Sequence, residues 1–385
     1  MKLTAAQTAS LCFAAANDLA YAFWRQPGEA GFTTLISCTP PQTTAVFGGA
    51  DLPGFVAAPF RTEDGNQASH FPADVLITPT QTRFRNGTGF AETPQSDLQA
   101  AIARGTTRRP LQAPASATAP APTPRAAYEA RVKRAVATIK SGACEKIVLS
   151  RIDPRPLPDA YDLIALSEAL AREHAHAMIT VFSAPDTSTW LVATPEILLT
   201  ADAQGVETMA LAGTQWPPSG TPLSDVNWDD KIVHEQALVA DFIREAFTAE
   251  GVTNLRETAA ATVQAANLCH LRSEFTAAAL PAETLAGLLR RLHPTSAVCG
   301  MPRPESRAFI LDEEGDTRGL YTGYFGPTAL DGRTALYVNL RSARVAGSEI
   351  YLHVGGGIVA ASDPALEWEE TVAKTKTIGC VLEPA

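Results

Sequence analysis

Residues 336–374 read LYVNLRSARVAGSEIYLHVGGGIVAASDPALEWEETVAK and put strand, glycine run and helix into one stretch. Leu336–Val345 and Ile350–Val354 have the apolar, β-branched texture of strands. Gly355-Gly356-Gly357-Ile358-Val359 ends the second strand, and Ser362-Asp363-Pro364 opens a helix that runs over Glu367–Thr377. Working outward, helical spacing predicts helices over Tyr128–Ser141, Asp162–Ala175 and Asp229–Thr248. Strand-like runs fall at Ala45–Phe47, Val75–Ile77, Lys146–Arg151, Met178–Phe182, Trp190–Ala193 and Ile197–Leu199. Strands come in runs with helices between them and no regular βαβ rhythm, which reads as α+β.

The composition is that of an ordinary globular chain. Its 385 residues are 45% hydrophobic and 19% charged, enough for a large core. A formal net charge of -10 argues against a nucleic-acid partner, which would need a basic patch. It leaves a small anionic ligand open, since a few local Lys and Arg residues suffice for that. The six cysteines, Cys12, Cys38, Cys144, Cys269, Cys299 and Cys380, show no CxxC pair and read as reduced thiols. The N-terminal apolar run around Leu11–Ala16 is broken by Gln7, Thr8, Asn17 and Asp18, and reads as a first helix rather than a signal peptide. No stretch approaches the roughly 18 apolar residues of a membrane span. The expected location is cytoplasmic, with no membrane partner.

Several side chains could carry chemistry. Glu367, Glu370 and Lys374 fall at i, i+3 and i+7 and share one helix face. Two such carboxylates suit a hard cation like Mg²⁺, and Glu370 with Lys374 equally suits a surface ion pair. The glycine run before them lets backbone approach a ligand closely, or simply makes a bend. Glu235 shares a helix face with Val239 and Phe242; a carboxylate there is either paired, metal-bound or at a boundary with water. Lys146 heads an apolar strand and is either an edge gatekeeper or a functional amine whose pKa burial would lower. Glu196 lies between Pro195 and Ile197-Leu198-Leu199, as a buried acid would. Arg341, within an apolar strand, suits a bidentate carboxylate contact or an edge position. His270 and His293 lack a metal-ligand spacing; His270 could still orient a hydroxyl.

Taken together, eight blocks resemble the chorismate-utilising enzymes, the anthranilate, aminodeoxychorismate, salicylate and isochorismate synthases. They are KIVLSR (146–151), ATPEILL (193–199), LAGT (211–214), HEQALV (234–239), HPTSAVCGMPR (293–303), RGLYTGYFGP (318–327), LRSARV (340–345) and GGGIVAASDPALEWEETVAK (355–374). The resemblance implies an α+β fold with a β-sandwich core of mostly antiparallel sheets flanked by helices. It implies one chorismate-binding domain over 1–385, in which 1–112 matches loosely, 113–125 is an Ala/Pro-rich linker and 126–382 is the catalytic core. It further implies Mg²⁺ on Glu235 and Glu370, with Glu367 close by. Gly213, Thr214, Gly355, Lys374 and Arg341 would contact the substrate carboxylates, with Tyr321 beside the enolpyruvyl group and His270 near a hydroxyl. Lys146 would be the general base and Glu196 the general acid.

Within the family, Lys146 resembles the water-activating members, and the small Ala297 resembles the isochorismate synthases, where salicylate- and amine-forming members usually carry Thr. The expected activity is therefore Mg²⁺-dependent isomerisation of chorismate to isochorismate, for siderophore, salicylate or menaquinone synthesis. A salicylate synthase and a chorismate-binding protein with little turnover are the alternatives. No glutamine amidotransferase partner is expected, and a monomer is. Two positions depart from the family pattern: Ile232 stands for an acid and Gln236 for a His beside Glu235. Both bear on how the metal ligand is supported.

Overall fold

The computed structural model describes residues 1–48, 52–62, 65–105, 110–114, 118–185, 187–215, 217–218, 220–265 and 268–382. Part of the Ala/Pro-rich stretch, residues 115–117, lies outside the described residues. Among the described residues the strands form two large sheets in which every pairing is antiparallel. The first has 11 strands and the second 10, nine of them on its main path with Ala261–Ala265 paired beside it.

The inward and outward faces can be read along single strands. In Ala20–Arg25, the residues Ala20, Ala22 and Trp24 point into the space between the sheets, whereas Tyr21 and Phe23 point to the opposite face. Met178–Ala184 alternates in the same way, with Phe182 inward and Ile179 and Val181 outward. Because both faces are covered, these strands are apolar throughout and lack the polar alternation of a half-solvated sheet.

Aromatic side chains fill the space between the sheets. The Phe55 ring lies 5.4 Å from Trp24, 6.0 Å from Phe71, 5.6 Å from Phe182 and 6.1 Å from Phe325. Phe182 comes from the first sheet and Phe55, Phe71 and Phe325 from the second, so the cluster joins the sheets as a sandwich. Helices cover the outer faces. Ala5–Ala16 and Leu163–Glu173 pack on the first sheet, and Asp230–Ala249 with Ala282–Leu292 on the second.

The N-terminal third is woven into both sheets. Ala20–Arg25 pairs with Met178–Ala184, and Gly54–Ala58 pairs with Tyr324–Thr328. All six cysteines are free. Among the described residues no helix is long and apolar enough to cross a membrane.

One expectation fails instructively. Residues 336–345 are not a single strand. Thr334–Val338 belongs to the second sheet and Ser342–Ala346 to the first. The chain turns at Arg341, whose φ of 49° is left-handed, and passes from sheet to sheet. The same crossing occurs beside it between Ser188–Thr194 and Ile197–Ala201, through Pro195-Glu196. The two crossings are hydrogen-bonded to each other: Ala193 N–H donates to Arg341 O at 3.0 Å, and Val338 N–H to Glu196 O at 3.0 Å. Apolar residues on both sides of the crossing hide the break from a reading of hydrophobicity alone.

The inter-sheet aromatic cluster carries a large share of stability. Phe55→Ala empties its centre and is expected to cost about 3–5 kcal/mol, read as a lowered urea midpoint at unchanged slope.

Candidate active site

The C-terminal helix Pro364–Gly379 begins where the sequence places its signals. The Asp363 carboxylate accepts from Ala365 N–H and Leu366 N–H at 2.9 and 3.0 Å, with Pro364 at the first position. The helix is bolted to the strand Lys146–Pro156 by the buried Arg151. Its Nε donates to Thr371 Oγ1 at 2.6 Å, and its guanidinium sits 4.1 Å from the Trp368 ring centroid. This fixes the helix face that bears Glu367, Glu370 and Lys374. Lys374 Nζ pairs with Glu370 at 2.6 Å and donates to Gly355 O at 2.9 Å.

Gly355–Gly357 lie within the strand Glu349–Ile358 and pair with Lys146–Pro156. Their missing side chains make room for charged groups. A Cβ on Gly357 would lie 2.7 Å from Lys146 Cε, 3.4 Å from its Nζ and 3.8 Å from Glu235 Oε1. A Cβ on Gly356 would lie 3.4 Å from Glu367 Oε2 and 3.8 Å from Glu370 Oε1. The glycine run thus brings together the amine of Lys146 and the carboxylate of Glu235 on one side, and Glu367 with Glu370 on the other.

Glu196 and Arg341 reach the same place from the two crossings. Glu196 is buried, and burial raises its pKa to about 7 against the opposing pull of Lys146 and Arg341. Burial lowers the Arg341 pKa, while Tyr321, Glu370 and Glu196 raise it. The Arg341 Nη1 also donates to Thr377 Oγ1 at 3.0 Å. Tyr321 is buried nearby; burial raises its pKa to about 12, and Arg318 and Arg341 act in the other direction. A buried carboxyl poised near neutrality therefore lies within electrostatic reach of Lys146 and Arg341.

His270 closes the group. Its Nδ1 is 2.7 Å from Gly213 O. A carbonyl only accepts, so Nδ1 carries the proton. Burial lowers the His270 pKa to about 4; the bond to Gly213 opposes this, and Arg341 and Lys374 add to it. At neutral pH the ring is uncharged, and Nε2 remains a hydrogen-bond acceptor that suits a ligand hydroxyl. Gly213 has φ 70°, and a Cβ there would collide with Ile232 Cγ2. Ile232, where the sequence departs from the pattern, thus packs directly on Gly213. Gln236, the second departure, is buried and donates from Nε2 to Ser273 Oγ at 2.9 Å.

Other expected positions are less central. Ala297 is half-buried at the margin of the apolar cluster containing Val239, and supplies shape without a polar side chain. The Thr214 side chain lies outside the described residues. His293 is structural, as its spacing implies: Nε2 meets Pro59 O at 3.1 Å and the ring packs edge-on against Tyr324. Among the described residues, no three His, Cys, Asp or Glu side chains group as a metal site. The two groups around the glycine run are carboxylates, the donor type Mg²⁺ takes, and that ion often uses one or two of them with ligand oxygens and waters.

Sequence reading missed Arg318 and Glu314, a fully buried ion pair at 2.7 Å beneath the site. Arg318 stands in one of the eight blocks, but its partner is on a helix, Arg303–Glu314, that no motif signals.

Comparison with known proteins gives the family and the fold. Residues 75–383 match the family described as chorismate binding enzyme, and the chain belongs to that family. The salicylate biosynthesis isochorismate synthase of Pseudomonas aeruginosa is 32% identical over 256 residues, covering 65% of this chain and 53% of that protein. Isochorismate synthase DhbC of Bacillus subtilis is 32% identical over 264 residues, covering 65% and 66%. The chain thus spans between half and two-thirds of the length of these relatives. Among solved structures, the menaquinone-specific isochorismate synthase MenF from Escherichia coli superposes with a TM-score of 0.77 at 23% identity, over 97% of this chain and 91% of that one. It shares the α+β fold of two antiparallel sheets and flanking helices.

The raised pKa of Glu196 has a consequence for stability. The folded state binds this proton more tightly than the unfolded chain, so stability falls as pH rises from about 4.5 toward about 7 and then levels off. Glu196→Gln removes the penalty. The variant is expected to gain about 3 kcal/mol at pH 8, with the gain vanishing below pH 4.5, as read by urea unfolding across pH.

Proposed function

We propose that this chain is an isochorismate synthase, isomerising chorismate to isochorismate by adding water at C2 as the C4 hydroxyl leaves. The observation that carries the reading is a buried carboxyl with its pKa near 7, Glu196, within electrostatic reach of the Lys146 amine, which itself lies against Gly357. Isomerisation needs both an acid and a base that work at neutral pH.

In this reading Lys146 Nζ takes a proton from water and the resulting hydroxide bonds to C2. The ring double bonds shift, the C4–O bond breaks, and Glu196 gives its proton to the departing hydroxyl. Atoms balance, since one water enters and one leaves. Tyr321 and Arg341 hold the enolpyruvyl carboxylate. Gly213, Thr214, Gly355 and Lys374 face the ring carboxylate, and His270 Nε2 accepts from a ring hydroxyl. Glu235 and Glu370, with Glu367 beside them, would hold Mg²⁺. When bound, that ion supplies positive charge to the ring carboxylate and so fixes the substrate's orientation. Ala297 keeps the pocket wall small and apolar, which favours stopping at isochorismate over continuing to salicylate. The chain works without an amidotransferase and as a monomer.

The test is to incubate purified protein with chorismate, with and without Mg²⁺, and resolve the products by chromatography. The expected result is a chorismate–isochorismate mixture, lost with EDTA and reduced about 10²–10⁴-fold in Lys146→Ala. Salicylate with equimolar pyruvate would move the assignment to a salicylate synthase. Bound chorismate without any product would reduce the chain to a binding protein. Turnover is also expected to fall as pH rises above about 7, as Glu196 loses the proton it must donate, and Glu196→Gln should abolish that limb along with most of the rate.

A further inference from the structure

The buried pair of Arg318 and Glu314 has every contact accounted for. Arg318 Nε and Nη2 donate to the two Glu314 carboxylate oxygens at 2.7 and 3.1 Å. Its Nη2 also donates to Val148 O at 2.6 Å, and its Nη1 to Val298 O at 3.0 Å and Thr322 Oγ1 at 3.2 Å. Glu314 in turn accepts from Ser150 N–H at 2.7 Å and Ser150 Oγ at 2.6 Å. The guanidinium lies 4.5 Å from the Phe60 ring centroid.

The segments joined this way are those that carry the site. Val148 and Ser150 lie on the strand of Lys146. Among the described residues that strand has only the two-residue Gly300–Met301 as its partner on one edge, and there the pair takes over the ladder: Val148 N–H donates to Cys299 O at 3.0 Å, while Val148 O and Ser150 N–H go to Arg318 and Glu314. Val298 follows Ala297. Thr322 follows Tyr321, whose own N–H donates to Arg318 O at 2.9 Å. A single side chain therefore touches the residues that follow Ala297 and Tyr321 and the residue two places on from Lys146, on three separate segments.

We infer that Arg318 and Glu314 are positioning residues, which hold Lys146, Ala297 and Tyr321 in mutual register without touching substrate themselves. This rests on the proposed isochorismate synthase activity. A buried ion pair is weak evidence of a purely stabilising role, because a well-packed apolar pair of similar volume often serves stability equally well. What an apolar pair cannot do is bond Val148 O, Val298 O, Thr322 and Ser150 at once. A displacement of about 1 Å at a reacting group can cost about 10²-fold in rate.

The experiment separates stability from turnover. Wild type, Arg318→Lys and the double variant Arg318→Met with Glu314→Leu are compared for melting temperature, kcat and KM for chorismate. The expected result is that Arg318→Lys folds and loses at least about tenfold in kcat/KM, mostly through kcat. The double variant leaves Val148 O, Val298 O and Ser150 N–H without these partners, so it should melt below wild type yet still fold, and stay at least about tenfold down. A double variant that recovers both melting temperature and kcat overturns the inference, as does Arg318→Lys with unchanged kcat. Failure of Arg318→Lys to fold overturns it too, since the pair would then serve folding alone. A wild type that makes no isochorismate fails the underlying activity instead, so the two failures are distinct.

Discussion

Two neighbouring crossings from one sheet to the other, at Pro195-Glu196 and at Arg341, set the conditions for everything around the pocket. A strand interior would aim these side chains alternately into the inter-sheet aromatics or under the covering helices. At a crossing, the backbone leaves both sheets and can point a polar side chain along the gap. Each crossing satisfies backbone groups of the other, so the kink costs no orphaned hydrogen bonds at those positions. Burial there favours the neutral form of Glu196, and Lys146 and Arg341 favour the charged form. The balance falls on the side of burial, which leaves a carboxyl that still holds its proton close to neutral pH. A site that must donate a proton at pH 7 has use for that imbalance, at the cost of some folding stability.

The glycine run solves a second problem, that of space. Three consecutive residues without side chains weaken a strand. Here the strand is held on one side by its long pairing with Lys146–Pro156 and above by the helix that Arg151 clamps through Thr371 and Trp368. The saved volume at Gly357 is taken by the Lys146 side chain, with Glu235, Glu367 and Glu370 at van der Waals distance from the run. The i,i+4 pair of Glu370 and Lys374 need not be either a surface ion pair or a site feature. Lys374 is only lightly exposed, and it uses the same amine for Glu370 and for Gly355 O on the glycine strand.

Much of this was legible in the sequence, and what was not has a common cause. Helices with local signals were readable: Asp363 and Pro364 announce the C-terminal helix, and Glu367, Glu370 and Lys374 share a face simply by their spacing. The family blocks marked Glu196 and Arg341. The break at Arg341 was not readable, because Leu336–Val345 is equally apolar on both sides of it. Nor was the threading of the first 91 residues through both sheets, since pairings such as Ala20–Arg25 with Met178–Ala184 join segments some 150 residues apart and leave no local trace. Glu314 carried no local signal, and its role follows only from the fold placing Arg318 against it.

The two departures beside Glu235 follow the same logic of replacement by packing. Where the family pattern has an acid, Ile232 sets a methyl group against Gly213, whose carbonyl orders His270. Where it has a histidine, Gln236 makes a neutral buried bond to Ser273 on a strand of the second sheet. Both contacts pin the first turns of Asp230–Ala249 and so fix the rotation of that helix about its axis. That rotation decides whether Glu235, about 60° around the helix from Ile232, points toward the glycine run. The departures remove charge around Glu235 but keep two contacts that orient it. Orientation and charge are separate contributions to a carboxylate's usefulness, and this chain retains the first while giving up part of the second.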